Sequence, residues 1–66
     1  MGRYISLDPV ILKETRERFG HTQESLAHAV GIRRETYTRI ESAGSTQLVT
    51  AEKIAGQLEV DLGHLT

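Results

Sequence analysis

Residues 23–41 read QESLAHAVGIRRETYTRIE, and the glycine at 31 divides them into two short amphipathic helices. In the first, Leu26, Ala27 and Val30 share one face at helical spacing. In the second, Tyr37 and Ile40, with Glu41 beside them, form the inward stripe. Almost no linker separates the two. Helices this short do not stand alone, so their packing must fix the angle between them. A steep helix pair joined by a short glycine-containing turn is a helix-turn-helix. Gly31 allows a positive φ at that turn. Ala27 is small where the second helix would cross the first, and Leu26, Val30, Ile32, Tyr37 and Ile40 supply a shared core. With Tyr37 and Ile40 inward, Arg33, Arg34, Glu35, Thr38 and Arg39 are left facing out.

Further helices flank this pair. Asp8–Pro9 is a helix start, with Asp at the N-cap and Pro at the first helical position. VILKETRERF then runs to a stop at Gly20, with Leu12, Thr15, Arg16 and Phe19 on one face. Thr22 caps the helix of Leu26, and Glu24 suits its first turn. Arg33 occupies the N-cap position of the next helix, where Arg caps poorly; that helix closes at Gly44. After the loop STQ (45–47), Leu48, Ala51, Ile54, Ala55 and Leu58 repeat at three and four through LVTAEKIAGQL. Asp61 caps a last short helix, LGHLT, whose Leu62 and Leu65 suit either the core or a dimer surface. RYISL (3–7) is weakly strand-like, but a lone strand has no partner, so an extended arm or an early helical turn is expected. The expected fold is all-α, five helices in one domain of residues 1–66 with an N-terminal arm over 1–7. A fifth helix that stops as it starts suggests the N-terminal part of a longer protein.

Sixty-six residues bury only about 60% of the unfolded surface, so stability is expected to be marginal. The chain has no cysteine, which suits the reducing cytoplasm, and none of its three histidines pairs at a helical metal spacing. No metal or cofactor is expected. There is no apolar run of membrane-spanning length and no signal-peptide core. Met1–Gly2 with Ser6 is a poor match to a myristoylation signal. Net charge is −1, which does not announce a nucleic-acid binder. The distribution is more informative than the sum. Seven Lys/Arg stand against six Asp/Glu in residues 1–44, and one Lys against three acids in residues 45–66.

TQESLAHAVGIRRETYTRIE, flanked by LKETRERFG and TAEKIAGQLEVDLGHL, resembles the phage-repressor or Cro-like (XRE-type) helix-turn-helix family. The matching positions are Thr22, Gln23, Leu26, Ala27, Gly31, Ile32, Tyr37, Ile40 and Glu41, and IAGQLEV matches a later family segment. The resemblance covers residues ~10–65 and implies a compact lambda-repressor-like fold. It implies that the helix after Gly31, about residues 33–42, enters the major groove of double-stranded DNA while the preceding helix crosses the backbone. Carried over by position, Arg33, Arg34, Glu35, Thr38 and Arg39 form the reading surface. Arg can grip guanine, Glu can accept from cytosine, and Arg39 can meet base or phosphate. Gln23 opens the preceding helix against a phosphate, and Ser42, Ser45 and Thr46 can add hydroxyl contacts. The resemblance also pairs Arg16 with Glu41 as a buried link between helices one and three. Three features depart from the family pattern. Arg33 stands where Ser or Thr is usual, Tyr37 replaces Ile or Val, and residues 42–47 lack the usual Lys, Arg and Pro.

The expected function is sequence-specific DNA binding by a transcriptional regulator, as a homodimer on a two-fold operator. The alternative is a protein-interaction or antitoxin-like module with a protein partner and weak DNA binding, favoured by the near-neutral charge and uncharged loop. The bland reading of the arginines is a solvated helix face with Glu35–Arg39 as an i,i+4 pair. His28 is expected in solvent. An enzyme is not expected, since no catalytic constellation or phosphate loop is present and so small a chain leaves little room for a pocket.

Overall fold

The computed structural model describes residues 2–66. Met1, the first residue of the expected arm and of the myristoylation reading, lies outside them. Four α-helices follow in order: α1 (Pro9–Phe19), α2 (Gln23–Val30), α3 (Arg34–Ala43) and α4 (Leu48–Gln57). The boundaries are chemically explicit. The Asp8 carboxylate accepts from the amides of Val10 and Ile11 at the head of α1. Thr22 and Ser25 form a reciprocal capping box on α2. Arg33 sits at the N-cap of α3 with no side-chain cap bond, as its chemistry leads one to expect. Gly31 ends α2 in the left-handed region at φ 88°, donating to Ala27 and His28, and α3 begins three residues later.

Two expectations require correction. The fifth helix is a single 3-10 turn, Leu62–Leu65, and its Leu65 is fully buried in the core. The arm is not partnerless. Tyr4–Ser6 forms β1, paired antiparallel with β2 (Ser45–Gln47), the segment expected to be a loop. The register sets Tyr4 opposite Gln47, Ile5 opposite Thr46 and Ser6 opposite Ser45. Three-residue strands are too short to show alternation, and a partner some forty positions away leaves no local trace. Further backbone bonds seat the arm: Leu7 N–H donates to Gly44, Leu48 N–H to Arg3, and Asp8 N–H to Leu65.

The core gathers Leu12 from α1, Leu26, Ala27 and Val30 from α2, Tyr37 and Ile40 from α3, and Ala51, Ile54 and Ala55 from α4. Leu7, Leu58 and Leu65 close it. Phe19, on the same helical face as the buried Leu12, Thr15 and Arg16, is 44% exposed. Its ring stacks on His21 with centroids 5.3 Å apart, at the end of α1 where the helix has run past the core. No helix among the described residues is long and apolar enough to cross a membrane.

Candidate nucleic-acid interface

What aims α3 is a buried ion pair. Arg16, in the middle of α1, donates through Nε to Glu41 Oε2 at 2.9 Å and through Nη2 to Oε1 at 3.0 Å. Its Nη1 donates to the carbonyl of His21 at 2.8 Å. Both side chains are buried, and the planar fork leaves α3 little freedom to slide along or rotate against α1. Donating to the Glu41 carboxylate raises the Arg16 pKa above the ordinary arginine value.

The Tyr37 hydroxyl lies buried beside this pair without a hydrogen bond of proper geometry. Burial first, and the neighbouring Glu41 second, push its pKa well above that of ordinary tyrosine. A buried, unpartnered hydroxyl is a cost of about 1–3 kcal/mol. Tyr37→Phe, which keeps the ring, should therefore leave the fold intact and raise stability by about 1 kcal/mol. Urea denaturation checks this; a loss of stability would mean that the hydroxyl has a partner after all.

With Tyr37, Ile40 and Glu41 turned in, Arg34, Glu35, Thr38 and Arg39 stand exposed on the opposite face of α3. Arg33 is also exposed, just before the helix. Glu35 and Arg39 form no ion pair among the described residues, so both are available to other partners. Gln23, the first residue of α2, is half-buried, and its Oε1 accepts from the Thr38 hydroxyl at 3.2 Å. This bond brings two of the expected contact residues together and ties the head of α2 to the outward face of α3. Gln23 also shares a surface depression with Arg34. Gln23, Arg34 and Thr38 are thus brought together, while Arg33, Glu35 and Arg39 are exposed, with no side-chain hydrogen bond or ion pair among the described residues joining them to these three.

Of the three hydroxyls expected to add phosphate contacts, Ser42 and Ser45 are exposed, but Thr46 is buried and does not fit that role. It turns inward opposite Ile5, and strand alternation was not anticipated in a segment read as a loop. For the same reason Tyr4 and Gln47 were missed: pairing with β2 brings Tyr4 onto a groove beside α3, which no local pattern at residue 4 signals. His28 is exposed, as expected. Lys13, Glu14 and Glu17 of α1 line a second groove beside Gln23 and Thr38.

A family model for the helix-turn-helix matches residues 12–65. A protein of Archaeoglobus fulgidus, to which an HTH-type transcriptional regulatory role is ascribed, is 38% identical over 53 residues, which are 80% of this chain and 17% of that protein. The chain thus spans under a fifth of the length of that relative. Among solved structures, the restriction-modification controller protein C.AhdI of Aeromonas hydrophila superposes with a TM-score of 0.81 at 29% identity, over 88% of this chain and 89% of that one. The biofilm regulator SinR, solved in complex with DNA, shares the fold with a TM-score of 0.82 at 21% identity, over 89% of this chain and 100% of that one. The fold also occurs inside an enzyme. Hydroxypropylphosphonic acid epoxidase of S. wedmorenis matches with a TM-score of 0.79 at 30% identity, over 88% of this chain and 31% of that one. With most of its length matched by the family model, its two central helices joined at Gly31 and α3 turned outward, the chain belongs to the helix-turn-helix family.

Proposed function

We propose that this domain binds double-stranded DNA sequence-specifically as part of a transcriptional regulator, with α3 in the major groove and the head of α2 on the backbone. The observation that carries this reading is the outward face of α3. Two guanidinium groups, a carboxylate and a hydroxyl stand exposed there on a helix locked in place by a buried ion pair. Arg34, Glu35 and Arg39 offer the donors and acceptor that base edges require. Gln23, which accepts from the Thr38 hydroxyl, is the proposed phosphate contact at the head of α2, and Arg33 belongs with the proposed reading surface. The regulatory role ascribed to the A. fulgidus relative and the controller function of C.AhdI support the same reading. A single short α3 reads few bases, so a homodimer on a two-fold operator is the proposed working form, in the cytoplasm.

Operators selected from random duplexes, followed by fluorescence anisotropy, test this directly. Arg34→Ala and Arg39→Ala should each weaken operator binding by about 1–3 kcal/mol if they grip bases. A residue on phosphate would instead lower the salt slope by about 1. If both variants bind with unchanged affinity and salt dependence, the reading is wrong.

A second reading, a protein-interaction or antitoxin-like module, draws on the near-neutral net charge, the acidic 45–66 segment and the uncharged 42–47 connection. Recovery of a partner at high salt with no nucleic acid present would favour it. The occurrence of the same fold as 31% of an epoxidase chain is compatible with such a supporting role, and neither reading assigns chemistry to this domain.

A further inference from the structure

The ribbon of β1 and β2 has an inner and an outer face. Ile5 and Thr46 turn inward, while Tyr4, Ser6, Ser45 and Gln47 are exposed. Tyr4 is 71% exposed. Together with Ser45 and Gln47 it rims a groove whose opposite wall is Thr36 and Arg39 of α3 and whose floor includes Ile40. This is the second edge of α3. The first edge, carrying Arg34 and Thr38, adjoins α2.

A helix seated in a major groove about 12 Å wide has a phosphate strand on each side. The head of α2 lies against one of them in the reading above. We propose that the outer face of the ribbon is the phosphate contact on the other side, with the Tyr4 hydroxyl as its principal donor and Ser45 and Gln47 beside it. The inference rests on α3 reading DNA. Three observations carry it. The groove is continuous with the reading face through Arg39, which belongs to both. The backbone bonds Leu48 N–H to Arg3 and Leu7 N–H to Gly44 fix both ends of β1 to the connection between α3 and α4, so Tyr4 is held at a set place relative to α3. Residues 42–47 contain no Lys or Arg, so any contact from that segment comes from neutral donors, and phenol, hydroxyl and amide groups all donate to phosphate oxygens. Neutral donors displace no counterions, so affinity gained here adds nothing to the salt slope.

The test compares wild type, Tyr4→Phe and Arg34→Ala on a selected operator and on an unrelated duplex, with phosphate-ethylation interference mapped for each. Tyr4→Phe removes only the hydroxyl of an exposed ring. It should weaken binding to both duplexes alike by about three- to tenfold, the worth of one hydrogen bond. The salt slope and thermal melting should not change, and interference should vanish at one phosphate on the ribbon side. The inference is overturned if Arg34→Ala loses the operator while Tyr4→Phe matches wild type in affinity and interference pattern. It is overturned equally if Tyr4→Phe changes base preference, since Tyr4 would then be reading sequence. If Arg34→Ala also binds as wild type, α3 is not the reading element, and the inference falls with that premise.

Discussion

Glu41→Ala should cost about 3–5 kcal/mol, because it leaves the buried Arg16 guanidinium without its carboxylate. A chain of 66 residues has about 3–10 kcal/mol of stability in total. The variant is therefore expected to populate the unfolded state strongly at room temperature, and circular dichroism under urea would show it. Arg16 cannot escape by losing its proton, since arginine remains charged in proteins even where its carboxylate partner has been removed. Its remaining partners, the carbonyl of His21 and the exposed Glu17 carboxylate at 3.9 Å, do not replace that two-bond link. The double variant Arg16→Met/Glu41→Leu removes both charges at similar bulk. It should recover most of the loss, since desolvation offsets much of what a buried pair contributes. A double-mutant cycle separates the coupling from the cost of orphaning one partner. If Glu41→Ala is as stable as wild type, the pair does not hold α1 against α3, and the aim of the reading face has another cause.

That pair illustrates what was legible in the sequence. Helices α1 to α3 announce themselves through Asp8, Thr22 and the terminal glycines, because capping is local chemistry. The inward stripe of Tyr37, Ile40 and Glu41 follows from spacing alone and leaves Arg34, Glu35, Thr38 and Arg39 outside. Arg16 and Glu41 are 25 residues apart, and only family resemblance joined them. The β1–β2 ribbon had neither aid. Its strands are three residues long, and their pairing depends on Leu7 and Leu48 finding carbonyls across the fold. The expected phosphate contact at Thr46 failed, and Tyr4 and Gln47 went unseen, through that one missed pairing. Phe19 shares a helical face with Leu12, Thr15 and Arg16 yet is exposed, for a related reason. A helical stripe predicts direction, but only the packed structure shows where along α1 the core ends.

Gly44→Ala should be the most damaging of the small substitutions, and Gly31→Ala is its control. Both glycines end helices at positive φ, 74° and 88° respectively, so alanine meets left-handed backbone strain of about 1–2 kcal/mol at either place. The surroundings differ. A methyl at Gly31 meets nothing within 4 Å, whereas at Gly44 it would lie 2.6 Å from the Leu7 carbonyl oxygen and 2.9 Å from Pro9 Cγ. Backbone and a proline ring yield far less than a flexible side chain would. The Gly44 carbonyl also accepts from Leu7, so the chain cannot back away without losing that bond. Overpacking of this kind adds about 1–3 kcal/mol. In a domain this size each kcal/mol lowers Tm by about 4–8 °C, so Gly44→Ala should melt well below Gly31→Ala. The strain can also be relieved by undocking β1 alone, which would cap the loss at the free energy of seating the ribbon. Hydrogen exchange distinguishes the two: undocking speeds exchange at Leu7 and Leu48 while the amides of α2 stay protected, whereas global loss speeds all of them. Undocking would also move Tyr4, so Gly44→Ala should lose at least the DNA affinity that Tyr4→Phe loses. Equal melting of the two glycine variants would show that β1 is not pressed against Gly44, and would remove the support on which the placement of Tyr4 depends.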